Sequence, residues 1–171
     1  MAKSVYCLAD SETQAVSIID ALRAGGFSND AISVLFPDRG TSRDFAHERH
    51  TKAPEGATAG VSAGGLLGGA IGWLAGIGAL SIPGLGPFIA AGPIMAAFSG
   101  AAMGAAVGGL TGALVGLGVP EFEAKRYEGK ILSGNVLISV HAEGAEERRR
   151  VKDIFERAGA SDVSSTDEAR V

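Results

Sequence analysis

The stretch "NVLISVHA", Asn135–Ala142, decides the fold class of this chain. Val136, Ile138 and Val140 alternate with other residues there, and this period of two predicts a strand with one buried face. A helical pattern follows the strand, and Gly159 ends the helix before a second strand-like run, "DVSS". The apolar stripe of this helix consists of Val151, Ile154, Phe155 and Ala158. The last third of the chain therefore predicts a β-α-β unit.

The first third of the chain repeats this arrangement. "SVYCLA" (Ser4–Ala9) and "AISVLF" (Ala31–Phe36) are strand-like runs on either side of a helical pattern. Asp10 or Ser11 can cap the start of the helix, with Gln14 as the partner of Ser11 in a capping box. The predicted buried stripe consists of Ala15, Ile18, Ile19 and Leu22, and the glycines that end the helix are Gly25 and Gly26.

The two β-α-β halves also end alike, in "DALRAGGFSNDAI" and "DIFERAGASDV". They predict an α+β fold, a ferredoxin-like βαββαβ sandwich with an insertion between its second and third strands. Residues 1–54 form the first half with a polar linker, residues 55–119 form the insertion, and residues 120–171 form a linker helix and the second half. Pro120 suits the first position of that linker helix.

The insertion differs sharply in composition from the rest of the chain. Between Glu55 and Glu121 lie 65 residues without Asp, Glu, Lys, Arg or His, and they hold 19 of the 26 glycines. Many of these glycines recur at every fourth position, in two rows. The first row is Gly56, Gly60, Gly64, Gly68, Gly72 and Gly76. The second row is Gly92, Gly100, Gly104, Gly108, Gly112 and Gly116, with Ala96 filling the one gap.

Glycines at this spacing predict helices whose backbones pack closely against partner helices, as in membranes. The segment Ser81–Pro93 contains three prolines, so the insertion is predicted to be a helical hairpin with a turn there. Each arm of about 23 residues would extend roughly 34 Å, enough for a hydrocarbon core of about 30 Å. Basic residues flank the hairpin on both sides. We therefore expect it to lie in the cytoplasmic membrane with both termini in the cytoplasm.

A second interpretation uses the same features without a lipid bilayer. Glycine and alanine contribute little to membrane insertion, so neighbouring copies could instead cover the hairpins inside a soluble homo-oligomer in the cytoplasm. In either case a row at spacing four drifts by about 40° per step around a helix, because a turn takes 3.6 residues. One straight partner helix cannot contact the whole row. The glycines therefore predict helix packing and oligomerisation with further copies of the chain.

The chain shows no pattern that would indicate catalysis, a cofactor or a metal. The net charge of -4 argues against a nucleic-acid partner. "HERH" (His47–His50) lacks the spacing of a zinc motif, and the lone cysteine, Cys7, lies in an apolar strand. His141 has no nucleophilic partner in its local sequence. No residue marks a site for a small ligand, so we expect a protein that is not an enzyme.

Longer stretches resemble a known family. They are "DALRAGGFSNDAISVL", "IPGLGPFIAAGP" and "GALVGLGVPEFEAKRYEGKILSGNVLISVHA". Together they resemble the bacterial general stress protein 17M-like (heat-induced stress protein) family, in its version with a central hydrophobic hairpin. The resemblance implies a stress-linked protein without enzymatic activity. The layout is also similar, more loosely, to the hairpin-bearing subunit of the respiratory alternative complex III, which implies an accessory subunit of a membrane complex as another alternative.

Overall fold

A computed structural model describes residues 3–37, 78–82, 86–92 and 102–167 of the chain. These residues form an α+β fold with one six-stranded antiparallel sheet and helices on both of its faces. The strands are β1 (Lys3–Ala9), β2 (Ile32–Pro37), β3 (Gly78–Ile82), β4 (Gly86–Ala91), β5 (Val136–Ala142) and β6 (Ser161–Asp167). The helices are α1 (Glu12–Ala24), α2 (Ala102–Gly116), α3 (Glu121–Leu132) and α4 (Ala145–Arg157).

The strand order is β3-β4-β2-β5-β1-β6. The two β-α-β units predicted from the sequence are present, and each is split by a strand of the other. β5 lies between β1 and β2, and β1 lies between β5 and β6. The two halves of the chain therefore share one sheet and cannot form it separately.

The first face of the sheet is covered by α1 and α4. The predicted stripe of α1 is fully buried there, together with the inward residues of the strands and of α4. This core includes Ala15, Ile18, Ile19, Leu22, Val136, Ile138, Val140, Val151 and Phe155. Ile154 and Ala158, the other predicted core residues of α4, are partly buried against it. The helical and strand periods of the sequence thus predict this face correctly.

The ends of α1 and α4 are capped reciprocally. Ser11 Oγ accepts a hydrogen bond from the Gln14 amide, 3.1 Å away, as the predicted capping box requires. The Gln14 side chain also donates to the carbonyls of Ala158 and Gly159, at 3.1 and 2.8 Å, and so caps the end of α4. In return, the Arg150 guanidinium of α4 donates to a carbonyl at the end of α1. These bonds satisfy carbonyls that a helix end leaves without partners.

The second face of the sheet is covered by α2 and α3. Leu110, Leu114 and Val119, which belong to the predicted insertion, are buried there against Leu8 and Leu137 of the central strands. The described part of the insertion is therefore packed into the same core as both ends of the chain. This differs from the predicted division, in which residues 55–119 form a separate hairpin.

The tip of the predicted helical hairpin is a β-hairpin in the structure. Gly78–Ile82 and Gly86–Ala91 form β3 and β4, and β4 pairs with β2 so that Ala90 lies opposite Leu35. The pairing satisfies backbone groups along β2 that would otherwise be buried without partners. β4 therefore lies in the same sheet as strands from both ends of the chain, beside them and not at the far end of a helical hairpin.

Of the predicted arms, only part is described. The first row of glycines, Gly56 to Gly76, lies outside the described residues, as does Gly100. α2 is the described part of the second arm, and its 15 residues form two helical segments that meet at Gly109. None of the helices in the described ranges has the length and apolar character that a membrane crossing requires.

The linker helix α3 begins one residue later than predicted. Pro120 has the extended angles φ -55° and ψ 143° and is the N-cap, and Glu121 is the first helical residue. Glu121 and Glu123 lie in the first turn and Lys130 in the last, which suits the helix dipole at each end. α3 buries Ala124, Tyr127 and Ile131 against the second face.

Candidate functional site

The second row of glycines does not form one continuous stripe. Gly109, inside α2, has φ 60° and ψ -148°, which only glycine adopts readily. It divides α2 into two helical segments, with Gly104 and Gly108 before the break and Gly112 and Gly116 after it. The even spacing of four in the sequence therefore does not correspond to even spacing around one helix.

A carboxylate from α3 caps the second segment of α2. Glu128 Oε2 accepts a hydrogen bond from the Thr111 amide at 2.8 Å and a second, short one from the Thr111 hydroxyl. The break at Gly109 leaves amides at the start of this segment without helical partners, and a negative charge is favourable at such a helix start. Glu128 therefore joins α2 to α3 at the break.

The second segment of α2 contacts the sheet through its larger side chains. Leu110, Ala113 and Leu114 are buried at helical spacing in the second core, whereas Gly112 is half-buried and Gly116 is exposed. Among the described residues, a methyl group added at Gly116 would meet no atom within 4 Å. Close packing against these residues therefore does not explain a glycine at this position.

Two large apolar side chains are exposed on either side of the turn from α2 to α3. Val115 is 41% exposed and Phe122 is 73% exposed. The Arg126 guanidinium lies 5.1 Å from the centre of the Phe122 ring. We call Val115, Gly116 and Phe122 the α2–α3 corner. It combines an open glycine with exposed apolar groups, a composition that suits contact with another protein surface.

Gly92 has a different role from the other described members of its row. It follows β4 with φ +82°, and a Cβ there would lie 2.0 Å from the carbonyl oxygen of Ile32. Both the backbone conformation and the close approach of β2 therefore require glycine. The position serves strand pairing in the sheet, whereas the sequence predicted helix packing.

A polar cluster fastens α3 to the edge strand β6. The Tyr127 hydroxyl donates to the Asp162 carbonyl at 2.9 Å and lies 2.6 Å from Ser164 Oγ. The Asp162 carboxylate accepts from Arg126 at 2.9 Å and, in a short contact, from Lys130. Asp162 has φ 51°, a conformation that Asp and Asn adopt more easily than most residues. We call these five residues the α3–β6 clamp.

The charges of the α3–β6 clamp change the pKa of its carboxyl. Partial burial raises the pKa of Asp162, but hydrogen bonds and charges from Lys130 and Arg126 outweigh this and hold it below its usual value. Burial is also the main reason why the pKa of the Tyr127 phenol is raised, so this hydroxyl stays protonated and available as a donor.

Polar side chains form a row across the second face, beside the apolar core. The register places Ser164, Tyr6, Ser139 and Ser33 side by side on four adjacent strands. Ser33 and Ser139 are buried, and the Tyr6 ring lies 6.4 Å from that of Tyr127. We call these four residues the hydroxyl row. Hydroxyl groups both donate and accept hydrogen bonds, so the row can hold buried polar partners.

His141 has a serine opposite it, which the sequence did not indicate. Ser4 of β1 pairs in register with His141 of β5, and their side chains lie on the same face as the hydroxyl row. Residues directly opposite in an antiparallel pair have Cβ atoms about 5 Å apart. Ser4 is only 7% exposed, so a substrate has little access to its hydroxyl. The pair belongs to the buried polar part of the second face.

Two further sequence observations concern reactive or metal-binding groups. Cys7 lies in the first core, where burial raises the pKa of its thiol and disfavours the reactive thiolate. Within the described ranges, no three His, Cys, Asp or Glu side chains are grouped so that they could hold a metal ion. His47–His50 lies outside those ranges.

Comparison with known proteins found no family model that matches the chain, no similar curated protein and no similar solved structure.

The sequence missed the α3–β6 clamp, the hydroxyl row and the Glu128 cap for one reason. Each joins residues from separate elements, and no local spacing indicates that Tyr127 reaches Ser164 or that Glu128 reaches Thr111. A partial signal was available in α3. Arg126, Tyr127 and Lys130 recur at helical spacing, a pattern that allows one partner to contact all three.

Proposed function

We propose that this chain is a non-enzymatic protein that assembles with further copies of itself, and that the α2–α3 corner belongs to the contact surface. The observation that carries the proposal is that Gly116, a glycine with open surroundings, lies between two exposed apolar side chains, Val115 and Phe122. A helical glycine costs about 1 kcal/mol relative to alanine. A second protein surface packed closely at this point would account for the glycine.

The exposed apolar groups support the same proposal. Val115 and Phe122 are two of the three large apolar side chains that are exposed among the described residues. They flank the turn between α2 and α3, which places them on both sides of Gly116 along the chain. Aromatic groups with a neighbouring arginine are typical of the centres of protein interfaces.

We propose that neighbouring copies of the chain, rather than lipid, cover the apolar insertion. The pairing of β4 with β2 supports this choice, because it keeps the predicted tip beside both ends of the chain. Alkaline carbonate extraction of membranes from expressing cells tests it. Protein in the supernatant as a discrete oligomer is the expected result, and protein that stays in the membrane until detergent is added contradicts it.

For the fold, we propose that β1, α1, β2, β5, α4 and β6 are a ferredoxin-like unit. The order β2-β5-β1-β6 and the two split β-α-β units support this assignment. β3, β4, α2 and α3 are then additions to that unit. We also propose a stress-linked role for the chain, which is supported by the resemblance of its sequence to the general stress protein 17M-like family.

The mass of the purified full-length chain in solution tests self-association. We expect light scattering to give a multiple of 17.2 kDa without detergent. Gly116→Leu places a large side chain in the proposed contact and should reduce or change the assembly. Gly129→Leu is the matched control, because Gly129 is also a helical glycine without an atom within 4 Å of an added Cβ. A wild-type chain that is monomeric at all concentrations rules out the proposal.

A further inference from the structure

The two edges of the sheet differ in how they are protected against further strand pairing. β6 carries Asp162 and Asp167, its register with β1 shifts between Tyr6 and Leu8, and Asp162 has a positive φ. β3, "GALSI" (Gly78–Ile82), has no charged residue and no proline, and it pairs regularly with β4 along its five residues.

An edge strand presents backbone N–H and C=O groups on its outer side. Natural proteins usually protect such edges with charges, prolines or bulges, because an unprotected edge adds a further strand. β6 has two of these features, and β3 has none. Among the described strands, β3 pairs only with β4.

We propose that β3 pairs antiparallel with β3 of a second copy, so that the two six-stranded sheets join across a two-fold axis. This proposal rests on the proposed self-association, and it identifies the β3 edge as the surface through which two copies form a dimer. A symmetric pairing centred on Leu80 places Leu80 of one copy opposite Leu80 of the other, and Gly78 opposite Ile82. In this antiparallel register, each backbone N–H and C=O group on the outer side of one β3 strand lies opposite a complementary group of the other β3 strand and can form a hydrogen bond with it.

A second copy suits this edge better than a charged or irregular partner strand. A two-fold axis brings identical segments together, and an uncharged strand meets no like-charge repulsion in doing so. The pairing uses the same edge on both copies, so it closes the dimer and leaves no β3 edge for further growth.

The same axis also brings α2 of the two copies towards each other. α2 lies on the second face and contacts β3. A two-fold axis perpendicular to the sheet leaves the second faces of both copies on the same side, with the two α2 helices flanking the joined edge. The glycine-rich sequence of α2 suits a close approach between helix backbones.

Disulfide cross-linking tests the register of the proposed pair. In Leu80→Cys the two introduced thiols face each other across the axis with their Cβ atoms about 4.5–5.5 Å apart. A small approach of the two strands brings them to the roughly 4 Å that a disulfide needs. The matched control is Ser165→Cys, an exposed position on the opposite edge strand. Cys7 is buried and does not compete. Under mild oxidation we expect a covalent dimer from Leu80→Cys alone; no dimer, or equal dimer from both variants, overturns the proposal.

A charge variant tests the interface without an oxidant. Ala79→Lys places a charge on the β3 edge and should abolish the dimer at concentrations where the wild-type chain is fully dimeric, with unchanged circular dichroism. If Ala79→Lys does not fold, the cross-linking result decides. If Gly116→Leu changes the assembly but neither β3 variant behaves as expected, edge pairing is wrong and self-association stands. A monomeric wild-type chain contradicts both.

Discussion

The two faces of the sheet are covered by sequences of opposite character. α1 and α4 on the first face are amphipathic helices with charged outer sides. On the second face, α2 comes from the uncharged, glycine-rich insertion, and only α3 is amphipathic. Yet both faces bury large apolar side chains completely. The difference shows that a segment whose composition resembles a membrane hairpin can serve as one layer of a protein core.

The second face is also divided within itself. Leu8, Leu137 and Leu35 lie side by side on neighbouring strands beneath α2 and α3, and the hydroxyl row lies next to them. The first face has no such row among its described residues, since the buried polar side chains, Ser4, Ser33 and Ser139, all lie on the second face. The second face therefore has the polar groups that fix the position of a covering layer, whereas the first face relies on apolar packing and on helix caps.

The largest expected effect comes from removing the cover of the second face. Replacing residues 56–119 by a short Gly/Ser linker removes β3, β4 and α2 and exposes Leu35 and Leu137. The sequence alone predicted that this segment is an insertion into a domain formed by the two β-α-β halves. From the structure we expect loss of cooperative unfolding and aggregation, measured by circular dichroism during thermal melting and by light scattering. A soluble variant with a sharp transition would show that the first face alone sustains the fold.

Substitutions at two neighbouring residues of β5 allow the packing of the two faces to be compared directly. Leu137 is buried in the second core and Ile138 in the first, and both are fully buried. Because the side chains have the same number of carbons, Leu137→Ala and Ile138→Ala should each lower the free energy of unfolding by about 2–5 kcal/mol. Urea denaturation measures both values. A much smaller loss for Leu137→Ala would indicate that the second face is packed more loosely than the first.

Two glycines of the same row should respond in opposite directions to alanine. Gly92→Ala places a Cβ against the Ile32 carbonyl at a positive φ, and we expect a loss of more than about 2 kcal/mol. Gly116→Ala meets no neighbour and should be neutral or stabilise the chain by up to about 1 kcal/mol. The midpoint of thermal unfolding measures both effects, and a low protein concentration ensures that self-association does not contribute to the difference. Equal effects for the two variants would contradict the separate roles assigned to them.

The smallest expected effect concerns pH and the α3–β6 clamp. The pKa of Asp162 is lower in the folded chain than its unfolded value of about 3.9, so its contribution to stability is present above that value and is lost as the pH falls through the folded pKa. Because Arg126 and Lys130 are partly exposed, we expect about 1 kcal/mol.

The matched variant for this clamp is Asp162→Asn, which removes the charge while keeping a residue that tolerates the positive φ. Urea denaturation between pH 7 and pH 3 should show a smaller decrease in stability for the variant than for the wild-type chain. If the two chains lose stability in parallel across this range, the ion pairs do not contribute to holding α3 on β6.

The sequence predicted the first face in detail and the second face hardly at all. The period of two in β5 and the cap that Ser11 places on the Gln14 amide are local patterns, and they were confirmed by the register and a hydrogen bond. The second bond of the predicted capping box differs, because Gln14 Oε1 accepts from the Asp10 amide at 2.6 Å. In Ser81–Pro93, prolines and glycines indicated only that a helix would end. They could not indicate that Phe88 and Ile89 continue as a strand, because that depends on the edge of β2 that they meet.

By itself, the sequence determined the α+β class, the two β-α-β units and the glycine-marked ends of α1 and α4, because each follows from spacing within a few turns or residues. The tertiary structure decided what the insertion does. Whether Leu114 contacts lipid, another copy or Leu35 cannot be read from the apolar character of α2, since burial stabilises an apolar side chain in any of these settings. Only the pairing of β4 with β2 and the contact of Glu128 with Thr111 place that segment on the sheet.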